Sequence, residues 1–273
     1  MPGELVTSSK DVVERFCVTS VAEGLFERWR HRRPYVYEHV MMHQSKILYN
    51  ISLGDVERVC RATADNRMEH ALGDVKRVDA ERVEKAKDWR PDYAFTHILH
   101  YAMETLETLP TWLQFTDFVK SDPKGVEMLS RPLLEKWENL MRDGWDKDMA
   151  WHALRWRVGN EYYSFIREMY TVTYLRSVGL DVRAHPLADA LFRVDAWLDR
   201  IVLSVYVRNS EYRDGKSGRK MQPQRILFEA EPPFRFEHLP LSKASQYGRI
   251  HLPPRNALDN TVRNLERALR FSE

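Results

Sequence analysis

The chain has 273 residues, 43% of them hydrophobic and 30% charged, with a formal net charge of +2 at pH 7. This is enough to bury a core in one large or two small domains, and it excludes a disordered chain. A charge this close to zero selects no polyanionic or polycationic partner, so such recognition has to come from local patches.

The two cysteines, Cys17 and Cys60, lack the close Cys or His spacing of a structural zinc site and read as reduced core thiols, which points to the cytoplasm. The N-terminus has no basic start followed by an apolar run. No segment approaches the roughly 18 consecutive apolar residues of a membrane span, so neither secretion nor membrane insertion is expected.

Residues 9–142 carry apolar side chains at three-to-four spacing, beginning with Val12, Val13, Phe16 and then Val21, Leu25, Phe26, Trp29. Ser9 is placed to cap the first helix. Helices are also expected over 37–49, 53–72, 93–109 and 133–142, separated by Pro34, Gly54, Gly73, Pro91, Pro110, Pro123 and Gly144. Residues 73–90 alternate in charge and read as a solvated helix laced with ion pairs. The run Arg28, Trp29, Arg30, His31, Arg32, Arg33 could bind phosphates and stack on bases, although a basic last turn also suits a helix C-terminus by itself. His97 and His100 share one helical face, which suits packing better than metal binding because no Glu-x-x-His stands beside them.

A long helix is expected over 149–178, with Trp151, Leu154, Val158, Tyr162, Phe165, Met169, Val172 and Leu175 as its apolar stripe and Glu161 and Glu168 bordering it. Strands are expected over 180–184, 191–197 and 201–207, with a turn at 198–200. Within the second of these, Asp195 stands in an apolar run, where a carboxylate needs a partner, a proton or a cation. His185 and Asp189 precede it and could stand at the same rim as Asp195, although capping of a turn suits them better. A basic loop follows the strands, with Arg213, Lys216, Arg219, Lys220 and Arg225 interleaved with Gly215 and Gly218. Its glycines let the backbone approach a phosphate, although the pattern is not a P-loop and also suits a solvated loop. A short helix over 222–228, extended pieces around 234–239 and 249–252, and a final helix over 257–270 capped by Asn256 complete the chain.

These elements predict an α+β protein: an N-terminal helical bundle, residues 1–145, followed by an α/β domain, residues 146–273, with a central mixed β-sheet flanked by helices. The order helix with glutamate, strand, strand with Asp195, third strand resembles the PD-(D/E)xK, or restriction-endonuclease-like, nuclease superfamily over about the last 125 residues. The resemblance implies a Mg²⁺- or Mn²⁺-dependent endonuclease that cleaves DNA or RNA. Asp195 would be the principal metal ligand and Glu161 or Glu168 would assist. The third strand, however, has Ser204, Val205 and Tyr206 where that family carries Glu-x-Lys. Either the lysine role has moved to Lys216 or Lys220, or the fold persists without catalysis as a nucleic-acid-binding or scaffold subunit. Arg213, Arg219 and Arg225, with Arg28, Arg30, Arg32 and Arg33, are the expected nucleic-acid contacts, and the helical region is an expected surface for a protein partner.

Overall fold

The structure, a computed structural model, describes residues 5–206, 221–240 and 245–270. Helices dominate and the strands form small sheets, so the α+β class and the helical N-terminal part are both present. Among the described residues, no helix is long and apolar enough to cross a membrane. Two compact units interleave along the chain. The first comprises Met1–Leu53, Arg167–Gln246 and His251–Glu273; the second comprises Gly54–Ile166 and Tyr247–Ile250. Each unit takes residues from both sides of position 145 or 146, and the long helix Lys147–Ser177 contributes to both.

The first unit is built on a three-stranded sheet of Ala196–Leu198, Ile201–Tyr206 and Arg235–Pro240, in that spatial order. The first two strands form an antiparallel hairpin with Ala196 opposite Leu203 and Leu198 opposite Ile201. The third runs parallel to the second, with Ile201 level with Arg235 and Ser204 level with His238. The sheet is therefore mixed, as expected, with Ile201–Tyr206 at its centre. Ile201, Val202 and Leu203 are all buried, the continuous apolar reading of a strand covered on both faces.

Phe16 joins the first helix, Ser9–Phe16, to this sheet. Its ring lies edge-on to Trp197 at 5.3 Å, stacked on Phe234 at 5.5 Å and 6.0 Å from Phe192. Aromatic contacts of this kind add to the area they bury. The N-cap of that helix is Ser8, whose hydroxyl accepts the Asp11 N–H at 3.2 Å while Asp11 returns a bond to the Ser8 N–H at 2.7 Å. Ser9 is buried instead, and its hydroxyl donates to the Val40 carbonyl at 2.6 Å.

Several elements differ from the sequence pattern. Residues 37–49 split into the helix Pro34–Met41, the two-residue strand Gln44–Ser45 and the 3-10 turn Ile47–Asn50. Residues 180–184 make only one bridge, Arg183 with Trp197. The expected strand 191–197 is shorter: a single π-helical turn, Ala188–Phe192, comes first, then Arg193 in the left-handed region at φ 63°, then a bend at Asp195, and the strand begins at Ala196. Phe192, Val194 and Ala196 are buried, and a short apolar run of this kind does not distinguish a strand from a buried helical turn.

The second unit is helical, with Leu53–Asp65, Phe95–Leu106, Trp112–Ser121 and Arg131–Arg142 around the first two thirds of the long helix. Tyr162 lies at its centre, with Phe115 at 6.0 Å and Trp112 at 5.4 Å, and its hydroxyl donates to the Pro110 carbonyl at 2.9 Å. Trp151 departs from the expected stripe: it is partly exposed, with its ring edge-on to Trp137. The charged stretch 73–90 forms two short helices, Arg77–Glu81 and Glu84–Lys87. They carry near-neighbour ion pairs of the expected kind, Arg77 with Glu81 at 2.8 Å and Arg82 with Asp79 at 3.7 Å, and Lys85 also reaches Asp143 at 2.8 Å. Ala80, Val83 and Ala86 hold them to the core.

Candidate active site

Glu168, Asp189 and Asp195 come from three successive elements of the first unit. Glu168 sits on the long helix beside the buried Met169, in a stretch where Thr171 through Leu175 are all buried. The residue keeps some solvent contact, while its carboxyl lies deep in the protein mass. Burial, then the charges of Asp189 and Asp195, hold the Glu168 carboxyl well above the usual carboxylate range.

Asp189 is delivered by a turn that His185 organises. The imidazole Nδ1 accepts the Leu187 N–H at 3.1 Å, and the His185 carbonyl accepts the Ala188 and Asp189 N–H groups at 3.0 and 3.3 Å. This is the capping role read from the sequence. The chain then reverses through Arg193, and Asp195 arrives next to the central strand, where its Oδ2 accepts the Val205 N–H at 2.6 Å. The edge strand starts only at Ala196, so the central strand has lost its neighbour there and the carboxylate stands in for the missing carbonyl. Asp195 therefore holds architecture as well as charge.

That bond brings Asp195 to the Ser204–Val205–Tyr206 segment. Asp195 precedes Ala196 and so stands level with Ser204, which is level with His238 on the third strand. His238 exchanges a 2.8 Å hydrogen bond with Gln224. Nothing in the sequence joins His238 to this row, because parallel pairing across 34 residues leaves no local signature.

The other expected residues are distributed as follows. Glu161 belongs to the second unit, where its carboxylate is paired with Arg157. Arg213, Lys216, Arg219 and Lys220 lie outside the described residues. Arg225 is exposed on the short helix Pro223–Ile226. Arg28 and Arg32 are exposed on the helix Ser20–Arg32, Arg30 pairs with Glu27 at 2.8 Å, and Arg33 follows as the C-cap residue. Trp29 packs against Phe26 and Tyr37 at 6.0 and 5.5 Å, and the run ends its helix, the plainer of the two readings of the sequence. His97 and His100 are buried in the second unit, the first stacked on Tyr93 and the second edge-on to Phe165. They pack, as the sequence suggested.

The donors at Glu168, Asp189 and Asp195 are all carboxylate oxygens, the hard ligands that Mg²⁺ and Mn²⁺ take. Among the described residues, no three Asp, Glu, His or Cys side chains converge to cage an ion. Mg²⁺ seldom needs a cage, since one or two carboxylates with waters and substrate phosphates suffice. The donor chemistry therefore fits.

Comparison with protein-family models, with curated proteins and with solved structures returned no match to this chain. The fold is α+β, with a small mixed sheet beside one long helix, and the charges of Asp189 and Asp195 act on Glu168 of that helix.

Proposed function

We propose that the chain is a metal-dependent nuclease on a restriction-endonuclease-like architecture, with Glu168, Asp189 and Asp195 as its acidic centre. One observation carries this reading: the deep Glu168 carboxyl feels the charges of two further carboxylates, an arrangement that a divalent cation relieves. Of the two helix glutamates, Glu168 carries the reading, because its carboxyl feels the charges of Asp189 and Asp195. Bound Mg²⁺ or Mn²⁺ would supply an activated water and neutralise charge on the scissile phosphate. Asp195 is held in place by the Val205 N–H. Glu168 would hold the ion as a carboxylate, so metal binding would release the proton that burial lets it keep. Lys216 or Lys220 supplies the cation for the developing negative charge, while Arg213, Arg219 and Arg225, with Arg28, Arg30, Arg32 and Arg33, contact the phosphates. The free thiols Cys17 and Cys60 suit a reducing, cytoplasmic setting.

The test is cleavage of plasmid DNA, single-stranded DNA and RNA with Mg²⁺ or Mn²⁺. Glu168→Gln and Asp195→Asn should each lower the rate 100-fold or more while the proteins remain folded. Wild-type rates in both variants would remove the site. A second reading, a non-catalytic nucleic-acid-binding or scaffold subunit, draws on the same Asp195 to Val205 bond, which gives the aspartate a structural duty, and on Ser204–Val205–Tyr206 in place of Glu-x-Lys. Salt-sensitive binding of nucleic acid without cleavage is the result that would favour it.

A further inference from the structure

A separate cluster in the second unit gathers cationic groups around one histidine. His70 follows the 3-10 turn Arg67–Glu69, and its ring stacks on that of Tyr163 at 6.1 Å and 19°. The Tyr163 hydroxyl accepts the Ala71 N–H at 3.1 Å and lies 2.8 Å from His70 Nδ1. Where the phenol donates its proton to Nδ1, neutral His70 carries hydrogen on Nε2, and protonated His70 donates from both nitrogens.

The charges of two arginines act on this pair, each from a residue whose backbone is held in place. Arg155, on the long helix, donates from Nε to the Ala71 carbonyl at 3.3 Å and from Nη2 to the His70 carbonyl at 2.9 Å. Its Nη1 makes no hydrogen bond among the described residues. Arg249 sits at the tip of the hairpin formed by Ser245–Tyr247 and Ile250–Leu252. That tip is seated tightly: the Arg249 N–H donates to Thr63 Oγ1 at 2.9 Å, and Gly248, at φ +58°, lies so close that a Cβ there would be 2.1 Å from the Cys60 carbonyl oxygen. The charges of Arg249 and Arg155 both act on His70 and on Tyr163. The nearby acid, Asp74, already pairs with Arg67 at 2.7 Å. The Cys60 thiol, whose pKa burial pushes up to about 12, adds no charge at neutral pH.

We propose that His70, Arg155 and Arg249 form a binding site for a phosphate group, of the kind carried by a nucleic-acid backbone or by free phosphate. The set offers donors only, and two guanidinium forks match phosphate oxygens better than they match a chloride or a lone carbonyl. Burial and the two arginines hold His70 below its ordinary value, so the unliganded ring is neutral; the negative charge of a bound phosphate offsets the arginines and draws the proton back. The site uses no residue of the acidic centre, and its occupancy is read without metal or cleavage.

The experiment titrates the whole chain, in EDTA, with inorganic phosphate and separately with a short oligothymidylate. The His70 ring is followed by NMR and identified by the signal lost in His70→Gln. Either anion should raise the His70 pKa by about one unit. Arg249→Gln should weaken binding about tenfold, with partial recovery in Arg249→Lys. Tighter, salt-sensitive binding of the oligonucleotide assigns the site to a nucleic-acid backbone, and a response to inorganic phosphate alone assigns it to a small anion. In the free protein, Arg249→Gln should itself raise the His70 pKa, which checks the geometry without any ligand. A His70 titration indifferent to both anions, or wild-type affinity in Arg249→Gln, overturns the proposal.

Discussion

At the scale of the residue, Asp195 has two duties that substitutions can separate. As an acceptor for the Val205 N–H it satisfies the central strand, and as a charge it acts on Glu168. Asp195→Asn keeps an acceptor of the same shape, whereas Asp195→Ala leaves a strand amide without its partner, a loss of about 1–3 kcal/mol. Denaturant unfolding should therefore place Asp195→Asn within about 1 kcal/mol of wild type and Asp195→Ala clearly below it. Equal losses in the two variants would show that charge, not the hydrogen bond, holds the bend. The odd placement of this aspartate in an apolar run was legible in the sequence. Its actual partner, a backbone amide ten residues on, was not, because a side-chain to backbone bond across a hairpin depends on where the edge strand begins.

At the scale of the element, the long helix was the most legible feature of the chain, and Gly159 within it was invisible. A Cβ at this position would lie 2.6 Å from the Ala71 carbonyl oxygen and 2.7 Å from its carbon, so the helix and the backbone at position 71 approach more closely than any other residue permits. Helix propensity alone favours alanine over glycine by about 1 kcal/mol. The clash outweighs it, because backbone atoms cannot swing aside as a side-chain end can. Gly159→Ala should lower stability by about 1–3 kcal/mol in spite of the better propensity, as read by the denaturation midpoint. The short elements were less legible. The turn Ala188–Phe192 and the strand Ala196–Leu198 share one apolar run, and only tertiary packing decides which part coils and which part pairs.

At the scale of the molecule, two buried titrating groups give stability opposite dependences on pH. His185 is enclosed against the His43 ring at 5.0 Å, and burial pushes its pKa down to about 4. Between the ordinary histidine value near 6.5 and that folded value, the unfolded chain takes up a proton that the native protein refuses. Stability is therefore intact above about 6.5 and falls as pH drops toward 4, by at most about 3 kcal/mol. Glu168 acts in the other sense. Its raised value lets the native state keep a proton that the unfolded chain gives up, so its contribution is greatest below the ordinary glutamate value and is lost as pH rises. Urea midpoints measured from pH 4 to 9 should show His185→Gln flattening the acid limb. Glu168→Gln should be more stable than wild type by a margin that widens with pH. A constant margin for Glu168→Gln would mean that its carboxyl does not titrate as the buried member of the acidic group.

By itself the sequence determined the α+β class, the long helix, the hairpin at 198–200 and the mixed character of the sheet. Those rest on local periodicity, turn chemistry and the order of elements, which a chain carries wherever it folds. It also marked Asp195, Glu161 and Glu168 as residues to watch. Tertiary structure alone decided that Asp189 and Asp195 act on Glu168 while Glu161 pairs with Arg157, that His238 stands level with Ser204, and that the charge of Arg249 acts on His70. Each of these depends on contacts between residues far apart in the chain. The same apolar and charged spacing is compatible with many long-range pairings, and burial of the whole core selects among them.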